Sequence, residues 1–292
     1  MLVRFWGVRG SIPVPGPDTV EFGGNTSCIE VRTGQGLFVL DSGTGIRGLG
    51  MSLLSQPGPH RVHLLISHTH WDHINGFPFF VPIYAPGNAI DVYGPRNLHS
   101  ETGIKDVLTL QMDYSYFPVR TSELSATIEY HDLDEGTFEA EDARVTTKFL
   151  NHPVYMLGYR IESGGKTVVY TGDFEPYHNV FTKEEESRIF EVVEHANRRA
   201  VELARDADVL IADAQYTLEE YEKKRGWGHS AIEHSVDLAV RACAKRLVLF
   251  HHEPTRKDAD LLALEERVQK DVAARSLPFT ACFAREGMTI EV

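Results

Sequence analysis

His68-Thr69-His70-Trp71-Asp72-His73 is the stretch on which the reading of this chain turns. It directly follows an apolar run, residues 62–67, that reads as a buried strand. In extended chain, side chains two residues apart point the same way, so His68 and His70 can converge on one cation. A turn at Trp71-Asp72 then swings Asp72 and His73 towards a second position. Imidazole and carboxylate without a thiolate suit Zn, Mn or Fe rather than a soft-metal site.

Outward from this stretch, the same context recurs. Short apolar runs at residues 145–150, 167–170 and 247–250 precede His152, Asp173 and His251. Four buried strands therefore each deliver a possible ligand at the carboxyl end, where open α/β sheets place their sites. Asp41 also ends an apolar run, residues 37–40, and a further run covers residues 209–212. Asp41 is expected either to accept a hydrogen bond from a ligand histidine or loop backbone, or simply to shape its turn.

Helical periodicity covers residues 184–205, 230–245 and 258–276, with a fourth stretch at 98–112. Ser230 and Glu233 stand at capping-box spacing. Residues 77–89 carry three prolines and read as a loop with short helical pieces. Short strands alternating with amphipathic helices predict an α/β fold, taken as one domain over residues 1–292.

Composition narrows the classes. The chain has 292 residues, 42% hydrophobic and 24% charged, which is ordinary for a soluble globular protein. Three cysteines rule out a disulfide scaffold and suit a reducing compartment. A net charge of −13 argues against a broad nucleic-acid footprint. The opening Met1-Leu-Val-Arg-Phe-Trp-Gly7 lacks the apolar core of a secretory leader, and no run is long enough to span a bilayer. A cytoplasmic location without membrane contact is expected.

His68-x-His70-x-Asp72-His73, then His152, Asp173 and His251 in that order, resembles the metallo-β-lactamase superfamily across nearly the whole chain. The resemblance implies a four-layer αββα sandwich with two divalent metal ions at one edge. Zinc is the expected metal, with manganese or iron as alternatives. By this likeness His68, His70 and His152 would hold one ion, and Asp72, His73 and His251 the other. Asp173 would bridge them. Of the neighbours His251 and His252, the likeness favours His251, since adjacent strand side chains face opposite ways. His252 is expected to support the site or touch substrate.

Gly228-His229-Ser230 at the mouth of a helix is similar to the His-Ser-Thr segment of the ribonuclease Z and phosphodiesterase branch, although Ala231 stands where that branch has threonine. Residues 207–214, ending Asp213-Ala214, resemble the strand and acidic turn of the same branch. The likeness implies phosphodiester hydrolysis, with His229 and Asp72 as catalytic residues. His229 would protonate the departing alkoxide, a poor leaving group near neutral pH. The long arm that ribonuclease Z carries between the counterparts of His152 and Asp173 has no room here, because 21 positions fit one hairpin. A small phosphodiester such as a cyclic nucleotide is therefore expected rather than an RNA polymer.

Three alternatives stay open: a thioesterase or lactonase of the glyoxalase II kind, an RNA 3′-processing nuclease, and an iron-dependent sensor or redox protein. Arg9 is a candidate for pairing with phosphate and Asn25 for touching substrate, or each for shaping its loop. Residues 84–143 and 175–207 are expected to supply the rim of the pocket. The apolar loop at 77–84 is expected to line the pocket or a homodimer interface.

Overall fold

The computed structural model describes residues 1–96, 101–178 and 186–292, with only the helix backbone described at 186–189. The chain first lays down β1 (Leu2–Gly7), β2 (Cys28–Arg32), β3 (Leu37–Leu40), β4 (Arg61–Leu65), β5 (Ala89–Pro95) and β6 (Thr127–Leu133) as neighbours in one sheet. It then lays down β7 (Gly136–Ala140), β8 (Ala143–Phe149), β9 (Leu157–Ser163), β10 (Lys166–Tyr170), β11 (Val209–Asp213), β12 (Arg246–Phe250) and β13 (Thr280–Phe283) as a second. Finally β14 (Thr289–Glu291) returns to pair with β1 at the edge of the first sheet. In each sheet part of the ladder is parallel: β3 to β6 in the first, β10 to β13 in the second.

Burial on both faces explains why these strands read as near-continuous apolar runs. Val3, Phe5, Leu40, Leu65, Val145, Tyr159, Ile211 and Phe250 fill the space between the sheets. Val39, Val62, Leu64 and Val92, on the other face of the first sheet, pack with residues of α1 (Ile46–Leu54) and α3 (Ile104–Gln111). Val169, Leu210 and Leu247 pack with residues of α4 (Glu186–Ala204), α5 (Ile232–Arg241) and α6 (Asp258–Ala274) beyond the second sheet. Helices, sheet, sheet and helices thus form the four layers expected, with the α/β class. No helix among the described residues is long and apolar enough to cross a membrane.

All six apolar runs read from the sequence are strands, and one hairpin, β9–β10, joins the neighbourhoods of His152 and Asp173. Several local expectations are corrected. The helix expected at 98–112 spans only Ile104–Gln111, where Asp132 Oδ1 accepts from the Ile104 amide at 2.8 Å; residues 98–100 lie outside the described ones. The helix expected at 184–205 runs Glu186–Ala204, and residues 184 and 185 are likewise outside. The Ser230–Glu233 capping box does not form: the helix starts at Ile232, and Ser230 Oγ donates to the Phe174 carbonyl instead.

Among the described residues of 84–143, β5, β6 and β7 join the two sheets, and most of 175–207 is α4, packed on β8 and β9. In the loop at 77–84, Phe77, Phe80 and Ile83 are fully buried with Leu49 and Leu53 of α1, and Phe79 is exposed. Leu65 is fully buried between the sheets immediately before the His68 stretch. Leu65→Ala should lower the unfolding free energy by about 2–5 kcal/mol. In urea titration this appears as a lower midpoint with an unchanged slope.

Candidate metal centre

The first sheet releases β4 at Leu65, and the next turn carries His68 and His70. The single-turn helix α2 (Trp71–Ile74) then supplies Asp72 and His73. The rings of His68 and His70 lie 4.6 Å apart, so the two-residue spacing does converge them. From the second sheet His152 arrives after β8, with Nε2 at 3.1 Å from His70 Nδ1. Asp173 arrives after β10: its Oδ2 stands 3.6 Å from His68 Nε2 and 3.2 Å from His73 Nε2, and its Oδ1 3.3 Å from His251 Nε2. His251, after β12, also places Nε2 at 3.1 Å from Asp72 Oδ2.

Two groups result. Donor atoms of His68, His70, His152 and Asp173 all lie within 4.8 Å of one another, as do those of Asp72, His73, Asp173 and His251. Asp173 belongs to both. The grouping is the one that the family likeness implied.

Four of the five imidazoles are oriented by their other nitrogen, a common way to fix the tautomer of a metal-binding histidine, whereas His70 turns Nδ1 to His152. His73 Nδ1 donates to Asp41 Oδ2 at 2.8 Å, His152 Nδ1 to the Gly228 carbonyl at 2.9 Å, and His251 Nδ1 to Gln215 Oε1 at 3.0 Å. His68 Nδ1 stands 3.1 Å from Ser67 Oγ, which donates to Asp41. In all four the Nε2 atom is left facing the cluster. Asp41 and His251 adopt left-handed backbone, φ 62° and 61°. Such conformations persist where surrounding structure over-determines them, often at functional sites. Gly228 needs glycine twice over: its φ is +89°, and a Cβ there would lie 2.5 Å from His152 Nδ1.

Divalent cations fit this arrangement. His68 Nε2 and Asp173 Oδ1 are buried without a hydrogen-bond partner, the state that a bound cation would relieve. The donors are imidazoles and carboxylates, as zinc, manganese and iron prefer. Burial pushes His68 well down and His70 down, and brings His152 to about 4, which keeps them neutral as ligands must be. At His73 burial is outweighed by Asp173, Asp72 and Asp41, so protonation is favoured. The field that favours a proton there favours a cation in its place. Asp72 and Asp173 resist burial and stay ionised beside these histidines.

His229 flanks the paired clusters. Its Nδ1 is 3.1 Å from Asp213 Oδ2 and 3.7 Å from Asp173 Oδ2, and its ring stacks on His251 at 4.9 Å. Burial opposes its protonation, yet Asp213 and Asp173 outweigh that and hold its pKa up at about 9. Asp213 itself is fixed by the amides of Phe174, Gln215 and Ser230.

The other sequence candidates lie elsewhere. Arg9 is fully buried and donates to the Gly23 and Arg256 carbonyls, so it braces loops and does not reach a phosphate. Asn25 shapes its turn through Glu286. His252 is buried against Phe22 and Phe283, donates Nε2 to the Ala284 carbonyl at 2.8 Å, and is pushed down to about 3 by burial.

Sequence reading missed Gln215, Gly228 and Ser67 as orienting partners, and saw Asp213 only through family likeness. Asp213 had one local signal, its place at the end of an apolar run. Gln215 and the Gly228 carbonyl had none.

A family model described as the beta-lactamase superfamily domain matches residues 37–252. Ribonuclease Z of Lactococcus lactis subsp. cremoris is 28% identical over 225 residues, 64% of this chain and 69% of its own length. The crystal structure of the metallo-beta-lactamase fold protein YhfI from Bacillus subtilis superposes with a TM-score of 0.69 at 17% identity, covering 100% of this chain and 98% of that one. A diphosphatase from the PhnP family gives 0.67 at 18% identity, covering 100% and 97%. The layered sheets, the histidine and aspartate clusters at their ends and the family match agree: this chain belongs to the beta-lactamase superfamily and has its metallo-β-lactamase fold.

Proposed function

We propose that this chain is a metal-dependent phosphodiesterase acting on a small phosphodiester, a cyclic nucleotide being the type case. His68, His70, His152 and Asp173 would hold one divalent ion, and Asp72, His73, His251 and the same Asp173 a second. When bound, such a pair supplies Lewis acidity to phosphoryl oxygens and lowers the pKa of a water from about 15.7 towards 7.

The observation that carries the reading is His229 on Asp213 beside both clusters. Its Nδ1 is spent on Asp213, which leaves Nε2 to carry the proton that an expelled sugar alkoxide needs. Hydrolysis of a thioester expels a thiolate, which needs no such acid; a carboxylate-paired histidine is therefore better matched to phosphodiesters. Asp72 is held by the Ser11 amide at 2.7 Å and faces His73 and His251, which fixes its carboxylate at the reaction centre. The likeness to ribonuclease Z and to a PhnP-family diphosphatase supports phosphoester chemistry. The single β9–β10 hairpin and the net charge of −13 favour a small substrate over RNA.

Turnover of bis(p-nitrophenyl) phosphate, cyclic nucleotides, a thioester, a lactone and a precursor RNA, each with zinc and with manganese, tests the proposal. Preference for the thioester or lactone, or no phosphodiester turnover with either metal, overturns it.

His229→Ala should lower kcat on nucleotide substrates by about 10²–10⁴-fold, with far less effect on p-nitrophenyl esters and unchanged metal content. Equal losses on both leaving groups would remove the acid role. The protonated form of His229 prevails below its pKa and is lost as pH rises through about 9. Asp213→Asn removes the carboxylate that sustains it, so the alkaline limb of the kcat profile should move to lower pH. Asp41→Asn takes the acceptor from His73 and should weaken zinc binding by about 10–100-fold in chelator competition while the circular dichroism spectrum stays that of the parent.

A further inference from the structure

We propose that Asp91, Glu129 and His131 form a separate divalent-cation site, with zinc as its ion, at the open edge where β5 and β6 face β7. These residues take no part in the His68 clusters. Asp91 pairs with His63 across β4 and β5, and His63 lies five residues before His68 on an extended chain, roughly 16 Å away.

Register brings the donors together. Asp91 on β5 is directly opposite Glu129 on β6, and Tyr93 opposite His131, so all four side chains share one face. Donor atoms of Asp91, Glu129 and His131 lie within 4.8 Å of one another. His131 Nε2 stands 3.5 Å from Asp91 Oδ1. Ligands of a tetrahedral zinc at about 2.0–2.1 Å lie about 3.3 Å apart, so this pair already has the required separation.

Around this donor set, imidazole nitrogens are buried without a hydrogen bond. His131 Nε2 and His63 Nε2 have no hydrogen-bond partner, Asp91 Oδ1 and Glu141 Oε1 standing 3.5 Å from them. Asp91 is itself a buried carboxylate, 3% exposed. Native structures seldom leave several such atoms together unless something fills the gap.

The supporting contacts point the same way. Tyr93 stacks on His131 at 4.5 Å and on Phe138 of β7 at 4.9 Å, which fixes the imidazole plane. Arg61 Nη2 lies 2.8 Å from Asp91 Oδ2, and His63 Nδ1 3.6 Å from the same oxygen, so both hold the far side of the carboxylate and leave Oδ1 towards His131. Glu141, 3.5 Å from both Arg61 Nε and His63 Nε2, adds a third negative charge to those of Asp91 and Glu129. Arg61 alone does not balance three carboxylates, and a dication would. One imidazole with carboxylates suits zinc or manganese. Bound there, the ion would tie β5 to β6 at a sheet edge that is otherwise open.

The test compares the parent with His131→Gln and with Glu129→Gln, the first a half-buried and the second an exposed residue at the sheet edge, neither in the hydrophobic core. Each is dialysed against excess zinc, and metal per chain is measured by elemental analysis. The parent should carry one zinc more than either variant, with all three showing the same phosphodiester turnover. Zinc-soaked crystals should show an anomalous peak between Asp91 and His131. Equal zinc in the three proteins with no such peak overturns the proposal, Arg61 then being sufficient as counter-charge. All three proteins share the His68–His251 clusters, so the difference reads this site whether or not those clusters fill.

Discussion

The carboxylate of Asp41 is the point where both sheets and the histidine-rich turn meet. It is fully buried at the end of β3, and it accepts from the Ser67 amide and hydroxyl, from His73 Nδ1 and from the hydroxyl of Tyr170 on β10. A buried carboxylate is costly unless several donors compensate it, and here the donors come from three separate pieces of chain. Satisfying Asp41 therefore fixes the height of the second sheet against the first, the start of the His68 turn and the tautomer of His73 together. The left-handed backbone at Asp41 is held by the same network.

From that anchor the chemistry follows. Strands of both sheets end on one rim, so side chains distant in sequence converge without long loops. Each cluster is oriented from outside: Asp41 for His73, Gln215 for His251, the Gly228 carbonyl for His152. The rigidity of the sheets is thereby passed to the donor atoms, and His229 receives its own partner from the end of β11.

Charge is arranged with equal economy. Negative groups sit at the ends of parallel strands, and the imidazoles facing them divide into those that burial keeps neutral and those that carboxylates pull towards a positive charge. The same physics recurs at the β5–β6 edge, where Asp91 and Glu141 face Arg61 and Asp91 also faces His131.

Six strands were legible in the sequence, because burial on two faces writes a continuous apolar run that needs no knowledge of neighbours. The seven donors were legible for a related reason: each follows such a run, and their order and spacing are carried by the chain itself. Local signals failed where a side chain had a choice of partners. Ser230 looked like a cap and instead bonds the Phe174 carbonyl; Arg9 was open to an anion or to its loop, and it braces the loop through Gly23 and Arg256. Gln215 and the Gly228 carbonyl carry no signal at all, and Asp91, Glu129 and His131 become neighbours only through the register of β5 on β6. Periodicity and spacing are properties of contiguous chain, so sequence alone settled the six strands that lead into the site region and the residues that follow them. Hydrogen-bond partners and charge balance depend on which strand ends lie side by side, and only the packed sheets decide that.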